Sequence, residues 1–424
     1  MTVADLSLPL RRSRLVPALL RENVPFRRFF AGQAVSLVGD QVSGIALPLV
    51  GVLVLHAGAA EMGYLTTAGL LPNLLFALHA GAWVDKRGRR RQTMLAADVG
   101  RAVLLATIPI AYAFDVLTLA QLYVVGFLIG ALSVFFYVSY STLFVSLVSR
   151  ERYVEANSLL NGSRALSFVG GPSLGGAIVQ VLSAPAALVV DAFSFVASAF
   201  ALSRISPAEP PTEPAERGHL KAGWQFIRRT PMIWASLLAT STLNFFNFVF
   251  FALFILYATR SLHVQPGLLG VVLGAGAIGG VLGSVVTARV GRRIGIGPAY
   301  ALGCFVFPAS LLLVPLAGGP RWVVLGCLFL AEFGSGVGVM LLDISSGSIS
   351  QSLVPDRLRS RVAGAYMVVN YGVRPIGAFL GGILGSELGL RPTLWIAAVG
   401  GVAAVLWLLP SPIVRLRDLP EQAE

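Results

Sequence analysis

Twelve long apolar runs constrain what this chain can fold into more than any other feature of its sequence. They cover residues 29–55, 62–84, 92–113, 119–143, 157–182, 186–204, 232–258, 266–288, 297–316, 322–344, 361–386 and 392–410. Crossing the hydrocarbon core of a bilayer takes about 20 apolar residues in a helix. A helix satisfies its own backbone there, where no water is available to do so. The expectation is an all-α membrane protein with twelve transmembrane helices. Composition agrees, with 56% hydrophobic and 12% charged residues, against about 25% charged in soluble domains. The mean hydropathy is +0.78.

The net charge is +12, but the basic residues fall in short clusters between the runs. That spacing is a topology signal rather than the single basic face that nucleic acid requires. Only Arg260, Arg321 and Arg391 lie in one set of alternate loops, and Arg101, Arg164 and Arg374 lie within runs. Every other Lys and Arg sits in the remaining loops and the two tails. Both termini are therefore expected in the cytoplasm, which requires an even number of spans. The expected domains are an N-terminal arm 1–28, a six-helix unit 29–205, a cytoplasmic linker 206–230, a second six-helix unit 231–410 and a tail 411–424. Cys304 and Cys327 lie inside apolar runs, so neither a disulfide framework nor a metal site is expected.

The two halves echo each other. Gly81 to Arg91 follows the second run, and Gly283 to Arg293 follows the eighth. Leu147-Val148 matches Leu353-Val354, and Pro172 matches Pro375. Parallel repeats with a site between them are a transporter plan. The first loop reads Gly81-Ala-Trp-Val-Asp85-Lys86-Arg87-Gly88-Arg89-Arg90-Arg91. Asp85 ends a helix, where the macrodipole disfavours a carboxylate, so it needs a cationic or N-terminal partner. Gly81 allows close helix approach and Gly88 a tight turn. In the fifth run, Gly171-Pro172-Ser-Leu-Gly175-Gly176 combines a kink-permitting proline with small residues that admit a neighbouring helix.

The first motif resembles the loop 2–3 signature of the major facilitator superfamily, and the second resembles the end of that family's antiporter motif. Ser36 to Gln41, Ala97 to Ala102 and Glu155 to Ser158 resemble the bacterial drug-efflux branch, which includes macrolide-efflux and enterobactin-exporter-like proteins. The resemblance implies two pseudo-symmetric six-helix bundles in the major facilitator fold. It also implies that Asp85 docks against the start of the eleventh run, near Ser360 and Arg361, to hold the cytoplasmic side shut. Thr287 stands where the second repeat would carry that aspartate, so the lock is expected on one side only.

Ionisable groups inside a bilayer are costly and mark function by default. Asp40 lies about 17 Å into the first run and Glu332 about 15 Å into the tenth. Both suit groups that load and release a proton in each cycle. Asp98 and Arg101, at i and i+3, can pair with each other. Asp191 and Asp343 read as interfacial. Arg164 and Arg374 read as buried cations that serve as counter-ions or bind an anionic group. Asn244, Asn247, Asn370, Tyr137 and Tyr140 are candidate cavity liners. The segment Asn244 to Phe251 cannot hide all its rings, so some face lipid and others can line an apolar pocket.

No P-loop, CxxC, HExxH or catalytic triad pattern appears in the sequence. The expectation is therefore a transporter rather than an enzyme, with no cofactor, driven by a proton gradient. Proton-coupled efflux of amphipathic drugs or metabolites by alternating access is the first reading. A dedicated exporter of one metabolite such as a siderophore, an importer, and a non-transporting sensor are the alternatives. A bacterial inner-membrane monomer, with lipid and an amphipathic small molecule as its partners, completes the expectation.

Overall fold

The computed structural model describes residues 17–206 and 220–419. The expectations for Arg11, Arg12, Arg14 and Arg217, and for the last five residues of the tail, lie outside the described residues. The spanning helices are α1 (Val24–Leu49, continued by a π turn Val50–Val54), α2 (Ala59–Arg87), α3 (Arg90–Ala113), α4 (Leu119–Leu147), α5 (Tyr153–Leu182) and α6 (Ala184–Ser203). The second set is α7 (Pro231–Arg260), α8 (Pro266–Ile294), α9 (Ile296–Leu311, extended by Leu313–Leu316), α10 (Arg321–Leu353), α11 (Asp356–Glu387) and α12 (Leu390–Ala403). Eleven of these are long and apolar enough to cross a membrane, and the bent α2 makes twelve when taken as one span.

Local chemistry sets the ends. Asn23 caps α1 by accepting from the Phe26 amide at 2.9 Å, and Thr118 caps α4 through the Gln121 amide. Gly88, at φ 60°, closes α2 in the left-handed conformation that a side chain disfavours. Large apolar side chains point outward from mid-helix, such as Phe193 (69% exposed) and Phe200 (60%). In water such a belt would aggregate; in a bilayer it is the lipid-facing surface.

The packing repeats. In the first six helices α1 packs on α5 and α6, α2 on α4, and α3 on α4 and α6. In the second six α7 packs on α11 and α12, α8 on α10, and α9 on α10 and α12. Two seams join the sets, α2 against α11 and α5 against α8. At the end opposite the termini both seams are glycine crossings. A Cβ on Gly63 would lie 2.5 Å from the Cα of Gly382, and one on Gly176 would lie 2.8 Å from the Cα of Gly270. No side chain fits there, so the backbones themselves touch.

Several boundaries differ from the sequence expectation. α1 begins at Val24, inside the expected arm, because Asn23 and Pro25 start a helix before the hydrophobic run does. The expected linker contains an amphipathic helix, Leu220–Arg229. Its Ile227 is fully buried, and Gly223 lies against the Arg361 carbonyl with no room for a side chain. Trp224 meets Trp234 edge-on at 5.7 Å. The linker thus grips the start of α11 instead of merely spanning a gap. The tail is likewise tied down, with the Ile296 and Gly297 amides donating to the Arg417 and Leu416 carbonyls at 3.1 and 2.9 Å.

Candidate functional site

A cavity of about 960 Å³ opens at the end that carries the termini and reaches mid-helix. Small-molecule sites run to about 300–1,000 Å³. Its mouth carries Gln351, Val354 and Arg359, and its depth is lined by Asn244, Asn247 and Phe248 of α7, Asp343 of α10, and Asn370, Tyr371 and Arg374 of α11. The α7 liners recur at helical spacing, so one face of the aromatic segment meets the cavity. Phe246 instead lies against Gly400 of α12, and Phe251 is half exposed on the outside. Asn244 donates to Asn370 at 2.9 Å, which fixes both amides on the wall. Below them the Tyr366 hydroxyl meets Thr240 at 2.7 Å and Ser236 at 3.1 Å. A groove of about 290 Å³ between α2, α4 and α11 shares Met367 and Tyr371 with the cavity and adds Tyr137 and Asn73 from the first half.

Arg374 lies over the Tyr371 ring at 4.1 Å and the Phe248 ring at 5.3 Å. It forms no ion pair with Asp40 or Glu332; the acidic group it feels is Asp343. Asp343 is therefore not interfacial, because α10 extends to Leu353 and places it on the cavity wall.

A second group of charges lies within the first half. Asp98 (0% exposed) and Arg101 (2%) form a short buried ion pair. The guanidinium is sandwiched between Phe136 at 4.4 Å and Phe195 at 4.2 Å. Asp191, only 1% exposed, accepts from Ser194 at 2.7 Å and lies against Gly39 of α1. It is buried rather than interfacial, because Gly39 lets α6 approach α1 without a side chain between them. Asp40, Asp98, Asp191 and Arg101 are mutual charged neighbours. With all four ionised the group carries two uncompensated negative charges. A small cleft puts Asp40 together with Arg101, Tyr137, Tyr140 and Arg164. Arg164 is exposed on the cleft wall, not buried, because the turn of α5 around it, Asn161 to Leu166, is itself largely exposed. It forms no ion pair with Asp40 among the described residues.

Glu332 lies apart from both groups. Its carboxylate packs 3.3 Å from where a Cβ on Gly276 would be, in the contact of α8 with α10. It does not line the cavity, so the expected symmetry between Asp40 and Glu332 is not realised in their surroundings.

The basic loop also departs from expectation. Arg90 donates to Asp85 at 3.4 Å, so Asp85 meets its own loop rather than the start of α11, which the linker helix occupies. Gly81 has no atom within 4 Å of a Cβ position, so the close approach expected there is not made. Gly88 makes its turn, and Arg87 lies over Trp83 at 4.9 Å. Lys86 and Arg89 are exposed in the same loop. Thr287 is buried and donates to the Gly283 carbonyl of its own helix at 2.7 Å. The span 5 motif is used as packing. Gly171 and Gly175 receive Gln41 and Val42 of α1, and Gly176 receives α8 beside Pro172.

Comparisons extend the geometry. Residues 29–378 match the family model described as Major Facilitator Superfamily. The chain is 28% identical over 416 residues to the multidrug efflux pump Tap of Mycolicibacterium fortuitum, covering 90% of this chain and 93% of that one. It is 26% identical to the MFS-type transporter YfiS of Bacillus subtilis, covering 88% and 89%. A bacterial homologue of the iron transporter ferroportin in its inward-facing state is similar in fold, with TM-score 0.74 at 18% identity over 93% of this chain and 99% of that one. The same homologue in its outward-facing state, at 17% identity over 91% and 98%, gives 0.57.

Proposed function

Because the chain belongs to the major facilitator superfamily, and is therefore a membrane transporter and not an enzyme, we propose that it expels amphipathic small molecules in exchange for protons by alternating access. The observation that carries this reading is the cavity of about 960 Å³, open at one end and closed at the other by backbone-to-backbone glycine crossings. Its wall of Phe248, Phe307, Leu243 and Val339, broken by Asn244, Asn247 and Arg374, suits a molecule with an apolar body and a few polar groups. The efflux direction is supported by the similarity to pumps named for multidrug efflux.

On this reading the open end faces the cytoplasm of a bacterial inner membrane, since the basic loops and both termini lie there. Asp40 carries the coupling proton. It lies half-buried in a cleft beside the cavity groove, among acidic neighbours whose negative charge a proton would relieve. Tyr137 lines both that cleft and the groove, so it stands between the proton site and the substrate site. Glu332 is assigned a second proton only if the α8–α10 contact opens during the cycle. Asp85 with Lys86, Arg89 and Arg90 would close the cytoplasmic side by leaving their own loop for α11.

The test is accumulation of an amphipathic dye in cells expressing the chain, with and without a protonophore. Lower accumulation that the protonophore reverses is the expected result. No difference from control cells would remove proton-driven drug efflux. It would favour an exporter dedicated to one metabolite, a reading for which Arg374 on the cavity wall is the supporting observation.

A further inference from the structure

We propose that the molecule held by this cavity is a zwitterionic amphipath, with its anionic group on Arg374 and its cationic group facing Asp343. This deepens the efflux reading and rests on it.

The two charges stand on the same wall, Asp343 on α10 and Arg374 on α11. Each is the charged group that the other feels. They do not form an ion pair, whereas Asp98 with Arg101 and Asp85 with Arg90 do. The cavity wall therefore carries two opposite charges that are not directly paired with each other.

Arg374 is held for a partner it lacks. Tyr371 at 4.1 Å and Phe248 at 5.3 Å fix the plane of its guanidinium by stacking. Stacking uses the face of the group, and the Tyr371 hydroxyl accepts from one of its edge donors. The Nε donor is buried and has no acceptor among the described residues. A buried donor left unpaired is costly, and a planar carboxylate is the acceptor whose geometry matches that edge.

The charge balance then selects among ligand classes. A simple cation meets Asp343 but is repelled by Arg374. A simple anion has the reverse problem. A neutral amphipath leaves both groups unpaired in a partly desolvated site. A zwitterion pairs both, and its body lies on Phe248, Phe307 and Met367. Sites built from unpaired polar groups reject analogues that lack the matching group far more strongly than apolar pockets reject a change of size.

The probes are rhodamine B, which carries a carboxylate and a cationic xanthylium system, and its ethyl ester, which keeps the cation and loses the anion. Binding to the full chain in lipid nanodiscs is read by fluorescence anisotropy, against empty nanodiscs and without any gradient. The expected result is at least tenfold tighter binding of rhodamine B than of its ester. Arg374→Gln is expected to remove that preference while ester binding stays the same or tightens, which also shows that the variant is folded. Asp343→Asn is expected to weaken both probes severalfold. The exchange Arg374→Asp with Asp343→Arg is expected to restore the preference for rhodamine B. Equal binding of the two probes by the native chain overturns the proposal, as does a preference that survives Arg374→Gln. Unchanged binding in Asp343→Asn, or binding of neither probe, overturns it too. The efflux reading fails separately, through dye accumulation in cells that no protonophore alters.

Discussion

Asp40, Asp98 and Asp191 cluster around one buried cation, Arg101, with Arg164 exposed on the wall of the adjoining cleft, and that arrangement gives each residue a different expected behaviour. Asp98 and Arg101 hold each other, with two aromatic rings on the guanidinium. Removing one partner of a buried pair leaves an uncompensated charge and costs about 3–5 kcal/mol. Arg101→Leu is therefore expected to lower the thermal midpoint in detergent by several degrees. Asp98→Leu together with Arg101→Leu should recover much of that loss, and a double variant no more stable than the single one would contradict a paired structural role. Asp40→Asn is expected to fold normally and to lose flux driven by a pH gradient; flux at the native level would take Asp40 out of the coupling role. The Asp98–Arg101 pair was legible in the sequence, because i and i+3 on a helix are neighbours. Asp191 was not, since its burial depends on Gly39 of α1, far away in the chain. Asp343 was missed for a related reason: the apolar run ends near it, while the helix continues to Leu353.

At the scale of elements, the crossings at the closed end are tight enough to test directly. Leucine at Gly176 or Gly382 has to displace a backbone rather than a flexible side chain. Such a variant should favour the state in which that end is open. A cysteine at Ser173, whose hydroxyl faces the Gly270 carbonyl at 3.4 Å, is the reporter. Its labelling by a membrane-impermeant thiol reagent from the closed side should rise severalfold in Gly176→Leu, and unchanged labelling would mean the crossing is not what closes that end. A second contact is set by pH. The short helix Ala18–Glu22 is tied to the loop before α5 by Arg152 donating to Glu22 at 2.6 Å, which holds the Glu22 carboxyl below its usual range. Because the folded value is depressed, the contact is complete at neutral pH and is lost as pH falls through that depressed value. The protection factors of the amides in residues 18–22, which are rates relative to the intrinsic exchange at each pH, should fall on acidification, and Glu22→Gln should remove that dependence. The helices themselves were legible from apolar run length, and Thr118 caps α4 where its run begins; other ends were not, because Asn23 starts α1 ahead of its run and α10 continues past its run to Leu353.

Across the whole molecule, the number of spans and the family were written in the runs and in the Gly81–Arg91 motif, whereas the conformation was not. On the alternating-access reading one sequence must support two states, so nothing local to Asp85 says whether it meets α11 or its own loop. In this structure it meets Arg90, and the linker helix lies on the start of α11. Asp85→Asn is expected to leave this open state intact and to deplete the closed one. Cysteines on the cavity wall near Gln351 should then become more reactive to reagents added from the terminal side, and equal reactivity would remove the lock. The glycine crossings carry one more consequence. The two halves meet along bare backbone at one end, while the cavity opens at the other. On the alternating-access reading, closing that cavity has to redistribute protein cross-section along the membrane normal, so the lateral pressure of the surrounding lipids is expected to bias the balance.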